Sequence, residues 1–198
     1  TGVQTCALPI LIPYGRQSIS EADIQSVVDV LRSDFLTQGP VVPAFESALA
    51  TYCHAQHGIA VNSATSALHI ACLALDLAAG DWLWTSAITF VASANCGLYC
   101  GAQVDFVDTD PRTYNLCPAK LEEKLIQAEK AGKLPKIVIP VHLTGQPCDM
   151  AAMARNANAD ATGIDPPARG FHADHRIAIA DKACDFTFLD DVNAKAVC

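Results

Sequence analysis

Basic residues are scarce in this chain: 13 Lys and Arg stand against 21 Asp and Glu, for a net charge of −8 at pH 7. A face that neutralises nucleic-acid phosphates or anionic lipid headgroups needs the opposite balance, which argues against both partners. Long apolar runs are missing too. Nothing approaches the roughly 20 consecutive apolar residues of a membrane span. The segment Thr1 to Pro13 is partly apolar but lacks a basic start and a small-residue cleavage site, so it does not read as a signal peptide. No pair among the nine cysteines has C-x-x-C spacing. Most lie in apolar periodic segments, where a reduced cysteine packs as a small hydrophobe, as expected of a cytoplasmic protein. Cys96 and Cys100 are four apart on an expected helix. Without His or Asp beside them they read as packing residues rather than metal ligands. A G-x-G-x-x-G string is also absent, which weakens a dinucleotide-binding reading.

What is present is enough for one sizeable core: 198 residues, 51% of them hydrophobic. Ser20 followed by Asp23 reads as a capped helix start, with Ile24, Val27, Val28 and Leu31 at helical spacing until about Ser33. The segment from Phe35 to Pro40 is a loop, and a second helix is expected over about 42–52. Gly58 to Val61 reads as a buried strand, followed by a helix over about 65–75. The alternation then continues. Trp82 to Thr85, Val104 to Val107 and Ile137 to Val141 are strand-like, and Phe90 to Cys100 and Ala119 to Ala131 are helical. Such alternation implies crossover connections and a mainly parallel sheet with helices on both faces. Beyond about Met153 the composition shifts to Ala, Asn, Asp, Pro and Gly. Only Ile177 to Ala180 and Phe186 to Leu189 suggest short strands there.

The string Asn62-Ser63-Ala64-Thr65-Ser66-Ala67-Leu68 sits between an expected strand and an expected helix. That geometry aims free backbone N–H groups and the positive end of the helix dipole at a ligand, and Thr65 and Ser66 add hydroxyls. An ordinary N-cap would use the same residues, so the string alone leaves the choice open. In a parallel sheet, ligands bind beyond the carboxyl ends of the strands. The loops Asn62 to Ser66, Ser86 to Phe90 and His142 to Gln146 should lie at that edge. His142 reads as a strand-end histidine tied to a loop rather than a catalytic base. The pair His172 and His175 has no third ligand at metal-like spacing. The run Lys120 to Lys133 reads as a solvated helix face with Glu–Lys pairs.

Six strings in order now matter together: Ile12-Pro13-Tyr14-Gly15-Arg16-Gln17, Leu36-Thr37-Gln38-Gly39-Pro40, Asn62 to His69, Thr89 to Asn95, Val104 to Asp108, and Pro140 to Gln146. Over residues 11–153 the chain resembles the N-terminal half of the DegT/StrS-type sugar aminotransferases. The resemblance implies an α/β fold: the three-layer, mainly parallel sheet of the aspartate-aminotransferase (fold type I) large domain, here incomplete. It implies pyridoxal 5'-phosphate as cofactor, with Ala64, Thr65 and Ser66 at its phosphate and Phe90 stacked on its ring. Without the resemblance Phe90 would read as a core aromatic at a helix start. Tyr14 and the segment Asp34, Phe35, Leu36 and Thr37 would line a nucleotide-sugar site. The alternative for that segment is a turn with an anchoring aromatic.

The Leu36-Thr37-Gln38-Gly39 string resembles the branch of pseudaminic acid biosynthesis. That branch aminates a UDP-linked 4-keto-6-deoxy-N-acetylhexosamine with glutamate as donor. The family likeness further implies a homodimer. It also calls for a Schiff-base lysine and a carboxylate at the pyridine nitrogen, from strings that are not recognisable in 154–198. Lys182, Lys195, Asp190 and Asp191 have the wrong neighbours and are not carried over. The expected organisation is therefore a non-native leader over 1–10, the aminotransferase part over 11–153, and an unmatched tail over 154–198, out of frame. An incomplete sheet of this kind would be inactive and would leave an unpaired edge. Two other readings stand: a dehydratase of the same fold using the same cofactor or its amine form, and a non-catalytic relative.

Overall fold

The computed structural model describes residues 17–53 and 55–157 and, as short strands, 178–179 and 194–196. Its contacts divide the chain into two units, 1–41 and 42–198. In the first, helix α1 (Glu21–Arg32) opens on a full capping box. The Ser20 Oγ accepts from the Asp23 N–H, and the Asp23 carboxylate accepts from the Ser20 N–H at 2.7 Å. The Ser20 N–H, and after it the Ser20 hydroxyl, which donates to the same carboxylate at 2.8 Å, hold the Asp23 carboxyl below its ordinary range. The periodic residues Ile24, Val27 and Leu31 are exposed, and no residue of α1 is buried. The expected periodicity is there, but among the described residues of this unit nothing covers it.

The second unit carries helix α2 (Val41–Tyr52), strand β1 (His57–Ile59), helix α3 (Ala64–Ala74) and strand β2 (Trp82–Ser86). Helix α4 (Ala92–Tyr99), strand β3 (Gln103–Val107), helix α5 (Pro118–Ala131) and strand β4 (Ile137–Ile139) follow. A 3-10 turn (Leu143–Gly145), helix α6 (Met150–Ala157) and strands β5 (Ala178–Ile179) and β6 (Ala194–Ala196) complete it. Strands β3, β2, β4 and β5 form one sheet in that order, and every pairing in it is parallel. Each connection therefore crosses over one face of the sheet.

Strand β2 is central, and its alternation sorts the two faces. Leu83 packs on one side with Ala67, Leu68, Ala71 and Cys72 of α3 and with Cys96 of α4. Trp84 packs on the other with Leu121, Leu125 and Ala128 of α5 and with Met153 of α6. Two helical layers enclose a parallel sheet, so the expected three-layer α/β architecture is observed. Small residues set the spacing between layers. A Cβ on Gly97 would lie 3.0 Å from Val104 Cγ2 and 3.1 Å from Leu83 Cβ, so α4 rides directly on the sheet there. Gly132, at φ +63°, ends α5 in the left-handed conformation that glycine adopts at least cost.

Two expectations need correcting. β1 begins one residue earlier than Gly58 to Val61 implies, and it is not buried: Ile59 is 48% exposed. Its one strand neighbour among the described residues is β6, so little packs across it. The regular pattern also runs past Met153. α6 extends to Ala157, and β5, within the expected Ile177 to Ala180, pairs with β4. The segment Phe186 to Leu189 lies outside the described residues.

Strand β3 is an outer strand of this sheet among the described residues. Lys124 of α5 pairs with Asp105 at 2.7 Å and donates to the Phe106 carbonyl at 2.5 Å. Burial works against the Asp105 charge. The Lys124 ammonium and the Phe106 N–H outweigh it and hold the carboxyl below its ordinary range. No helix among the described residues is long and apolar enough to cross a membrane.

Candidate functional site

Helix α3 starts in a short polar turn. Ser63 is its N-cap, with extended backbone, and its Oγ accepts from the Ser66 N–H at 3.2 Å. The Ser66 hydroxyl donates to Asn62 Oδ1 at 2.8 Å and lies 3.0 Å from the Ser63 hydroxyl. Three side chains thus fix the turn through one another. Ala67 makes the first intrahelical bond, to the Ser63 carbonyl at 3.1 Å. The N–H groups of Ala64 and Thr65 precede that bond and are left as donors. The Thr65 hydroxyl has no partner among the described residues, and the first turn of α3 carries no acidic side chain. The donor set is therefore two amides and one hydroxyl at the positive end of a helix. It fits a phosphate and would repel nothing on it. Ala64 is exposed, and Thr65 and Ser66 are half-buried, so the turn is open to a ligand.

Helices α3 and α4 pack side by side, with His69 and Tyr99 in an edge-on ring contact at 5.4 Å. Each begins after the carboxyl end of the strand before it. Phe90 lies in the loop from β2 to α4, and its side chain is 65% exposed. It is not the core aromatic that its position before a helix would suggest. The loop is held behind it: Thr89 Oγ1 donates to Ser93 Oγ at 2.8 Å, and Ser93 is buried. Thr85 at the end of β2 is buried and donates to the Ile139 carbonyl of β4 at 2.8 Å, which fixes the two strand ends together.

The loop after β4 has an organiser that no sequence motif marks. Asn115 is 3% exposed. Its Nδ2 donates to the carbonyls of Gln146 at 2.8 Å and Pro147 at 3.1 Å, and its Oδ1 accepts from the Leu143 N–H at 3.0 Å. One side chain thus holds both ends of the turn Leu143–Gly145, where Thr144 is left-handed at φ 54°. The available signal was local. Asn115 follows a polar turn in which Tyr114 is also left-handed, at φ 59°. His142 accepts the Cys148 N–H on its Nδ1 at 3.1 Å, as a strand-end histidine tied to a loop should.

The segment Asp34, Phe35, Leu36 and Thr37 belongs to the first unit. Ser33 Oγ bridges the Val30 carbonyl at 2.8 Å and the Phe35 carbonyl at 3.1 Å. Phe35 and Leu36 are exposed. A Cβ on Gly39 would lie 2.8 Å from Phe35 Cβ, so Gly39 lets the turn close on the aromatic. Tyr14, His172 and His175 lie outside the described residues, as do Lys182, Asp190 and Asp191. Cys72 and Cys96 sit in the α3–α4 core. The neighbouring Cys96 thiol, and after it burial, pushes the Cys72 thiol well up, while the hydrogen bond with Cys72 draws the Cys96 thiol down.

Two cavities lie elsewhere. One of about 290 Å³ is lined from Glu46 to Gly58, and one of about 220 Å³ lies under α5 and is lined by Trp82 and Trp84. Neither is lined by the α3 turn or by Phe90.

A family model described as the DegT/DnrJ/EryC1/StrS aminotransferase family matches residues 17–164. The spore coat polysaccharide biosynthesis protein SpsC of Bacillus subtilis is 40% identical over 142 residues, covering 72% of this chain and 35% of that protein. The GDP-perosamine synthase of Caulobacter vibrioides is 46% identical over 112 residues, covering 57% and 29%. Among solved structures, Spr1654 of Streptococcus pneumoniae in its PLP-form superposes with a TM-score of 0.73 at 30% identity, covering 88% of this chain and 43% of that one. The Bacillus subtilis NtdA structure with bound cofactor PMP gives 0.66 at 30% identity, covering 87% and 35%. The chain spans about a third of the length of the curated relatives it matches.

Proposed function

Because the chain belongs to the DegT/DnrJ/EryC1/StrS aminotransferase family, we propose that it is part of a pyridoxal-phosphate-dependent sugar aminotransferase, and that it contributes the phosphate and ring contacts of the cofactor site. The observation that carries this reading is the turn at the start of α3, which offers donors and no acid. When bound, the cofactor supplies the electron sink that lets an amino group pass from a donor to a keto sugar.

The chain's own residues bind and orient it. The N–H groups of Ala64 and Thr65 and the Thr65 hydroxyl hold the phosphate. Ser66, whose hydroxyl donates to Asn62, keeps the turn in shape for that contact. The exposed Phe90 ring would stack on the cofactor ring and shield it from water. No residue of this chain is assigned the role of the lysine that carries the cofactor. The protein is proposed to work in the cytoplasm as a homodimer on surface-polysaccharide precursors. That reading is supported by the likeness to the spore coat protein.

The sugar is proposed to be a UDP-linked 4-keto-6-deoxy-N-acetylhexosamine with glutamate as amino donor, as the Leu36-Thr37-Gln38-Gly39 string suggests. Tyr14, Asp34, Phe35, Leu36 and Thr37 are its proposed contacts. The 46% identity to a GDP-perosamine synthase favours a second reading, a GDP-linked sugar in the same role.

Equilibrium dialysis against pyridoxal phosphate tests the cofactor assignment. The expected result is saturable binding that inorganic phosphate displaces and that Thr65→Ala and Phe90→Ala each weaken about tenfold, or about 1.4 kcal/mol. Binding indifferent to phosphate and to both substitutions overturns it. Dialysis against UDP-N-acetylglucosamine and GDP-mannose separates the two nucleotides. Retention of the uridine sugar supports the first reading, and retention of the guanosine sugar alone supports the second.

A further inference from the structure

Three cysteines meet where α3 packs on α4. Cys72 of α3 and Cys96 of α4 belong to one buried core with Ala67, Leu68 and Ala71, and Cys100 packs against the edge of that core. The edge-on contact of His69 with Tyr99 holds the two helices in register. Cys72 stands one turn beyond His69 on α3. Cys100 follows Tyr99 as the C-cap of α4, and Cys96 lies one turn before it. The Cys72 thiol is hydrogen-bonded to the thiols of both Cys96 and Cys100.

The three differ in access. Cys72 is 2% exposed and Cys96 0%, whereas Cys100 is half-buried. Among the described residues no group of His, Cys, Asp or Glu is arranged to hold a metal ion, so the chemistry open to this cluster is that of sulfur with sulfur. Such chemistry needs one thiol that an outside disulfide can reach and a second thiol touching the first. Cys100 is the first and Cys72 the second. Helix α4 ends at Cys100, and Gly101 follows in the left-handed conformation at φ 76°. The Cys100 side chain therefore sits at a helix end, where it can turn toward Cys72 without breaking a helical turn.

We propose that Cys72 and Cys100 form a reversible disulfide, closed by exchange with a small aliphatic disulfide of the glutathione class. The Cys100 thiolate attacks one sulfur of glutathione disulfide. A mixed disulfide forms at Cys100, and one glutathione leaves as its thiolate. The Cys72 sulfur then attacks the Cys100 sulfur. The Cys72–Cys100 bond forms, the mixed disulfide breaks, and the second glutathione leaves. Cys96, which shares the Cys72 hydrogen bond, is placed to take the Cys72 proton as that bond forms. The two cysteines together lose two electrons, and glutathione disulfide is reduced to two thiols that carry off the two protons. An excess of reduced thiol runs the same steps backwards. Neither cysteine belongs to the turn at the start of α3 or to the Phe90 loop, so the proposal is independent of the aminotransferase reading.

Mass spectrometry of the chain incubated with glutathione disulfide tests it. Burial first, and then Cys96, keep the Cys100 thiol above its ordinary range, so the incubation is run at about pH 8.5, where more of the thiolate is present. Cleavage after Asp76, Asp81 and Asp105 separates Cys72 from Cys100, so a linked pair of peptides identifies the bond. The expected product is that linked pair, without retained glutathione and reopened by dithiothreitol. In Cys72→Ala the glutathione should stay on Cys100. Cys100→Ala, at the edge of the core, leaves α3 untouched and should leave Cys72 a free thiol. A parent chain that keeps glutathione on Cys100 overturns the proposal, since Cys72 then does not reach it. So does a Cys100 thiol that does not react, a bond from Cys100 to Cys96, or a Cys72 disulfide that survives Cys100→Ala.

Discussion

Asn115 shows how much one side chain can fix. Its amide spends both donors and its acceptor on the backbone of a loop some 30 positions later in the chain. Asn115→Ala removes all three bonds and leaves the Leu143 N–H without its partner. Buried groups left unmade cost about 1–3 kcal/mol, so a fall of that size in unfolding free energy is expected in urea denaturation. An unchanged midpoint would mean that water replaces the amide. The sequence offered Asn115 only as one more polar residue in a turn. Its role depends on which distant carbonyls come within 3 Å, and no local pattern encodes that. Ser63 and Ser66 are the opposite case. Their hydrogen bonds span four residues or fewer, so the capped turn can be read directly from the string. Phe90 lies between the two. Its position before α4 was legible, but its exposure follows from what packs around it, and that is tertiary information.

At the scale of the element, the helices and the parallel strands of the larger sheet were legible because each carries its own period. β2 has Leu83 for one face and Trp84 for the other, and α5 repeats Leu121, Leu125 and Ala128 toward the sheet. β1 departs from its expected burial because an apolar tetrad reads as buried whatever lies beside it. Contacts between elements are set by small residues, and Gly97 is the tightest of them where α4 meets β2 and β3. Gly97→Val would drive its methyls into Leu83 and Val104. Overpacking of this kind costs about 1–3 kcal/mol, and a drop of several degrees in the thermal midpoint is the expected readout. Because α4 carries Phe90 at its entrance, the same variant should also weaken pyridoxal phosphate. A midpoint equal to that of the parent chain would show that α4 can lift off the sheet at no cost.

For the molecule as a whole, the ionised carboxyls set the response to acid. Asp23, Asp105 and Asp110 are all held below the ordinary carboxylate range, by Ser20, by Lys124 against the opposing effect of burial, and by Arg112. A carboxyl whose folded value is lowered binds its proton more readily when unfolded. Its contribution is present at neutral pH and is lost as pH falls through the folded value. Urea midpoints should therefore hold steady from neutral pH down to about 5 and decline below about 4. Asp105→Asn should flatten part of that decline, and equal slopes for the two proteins would contradict the assignment.

The Lys124 contact has a further consequence, for behaviour in a crowd. Among the described residues β3 is an outer strand of its sheet, and an outer strand presents backbone groups on which another chain can build. Gln103 donates to the Asp81 carbonyl and the Val107 carbonyl accepts from Ala87, so by alternation along β3 the Phe106 carbonyl points away from β2. Lys124 occupies that carbonyl with its own ammonium. A stranger aligning along β3 meets a positive charge where it needs a bare acceptor, and the sheet ends where the fold ends it.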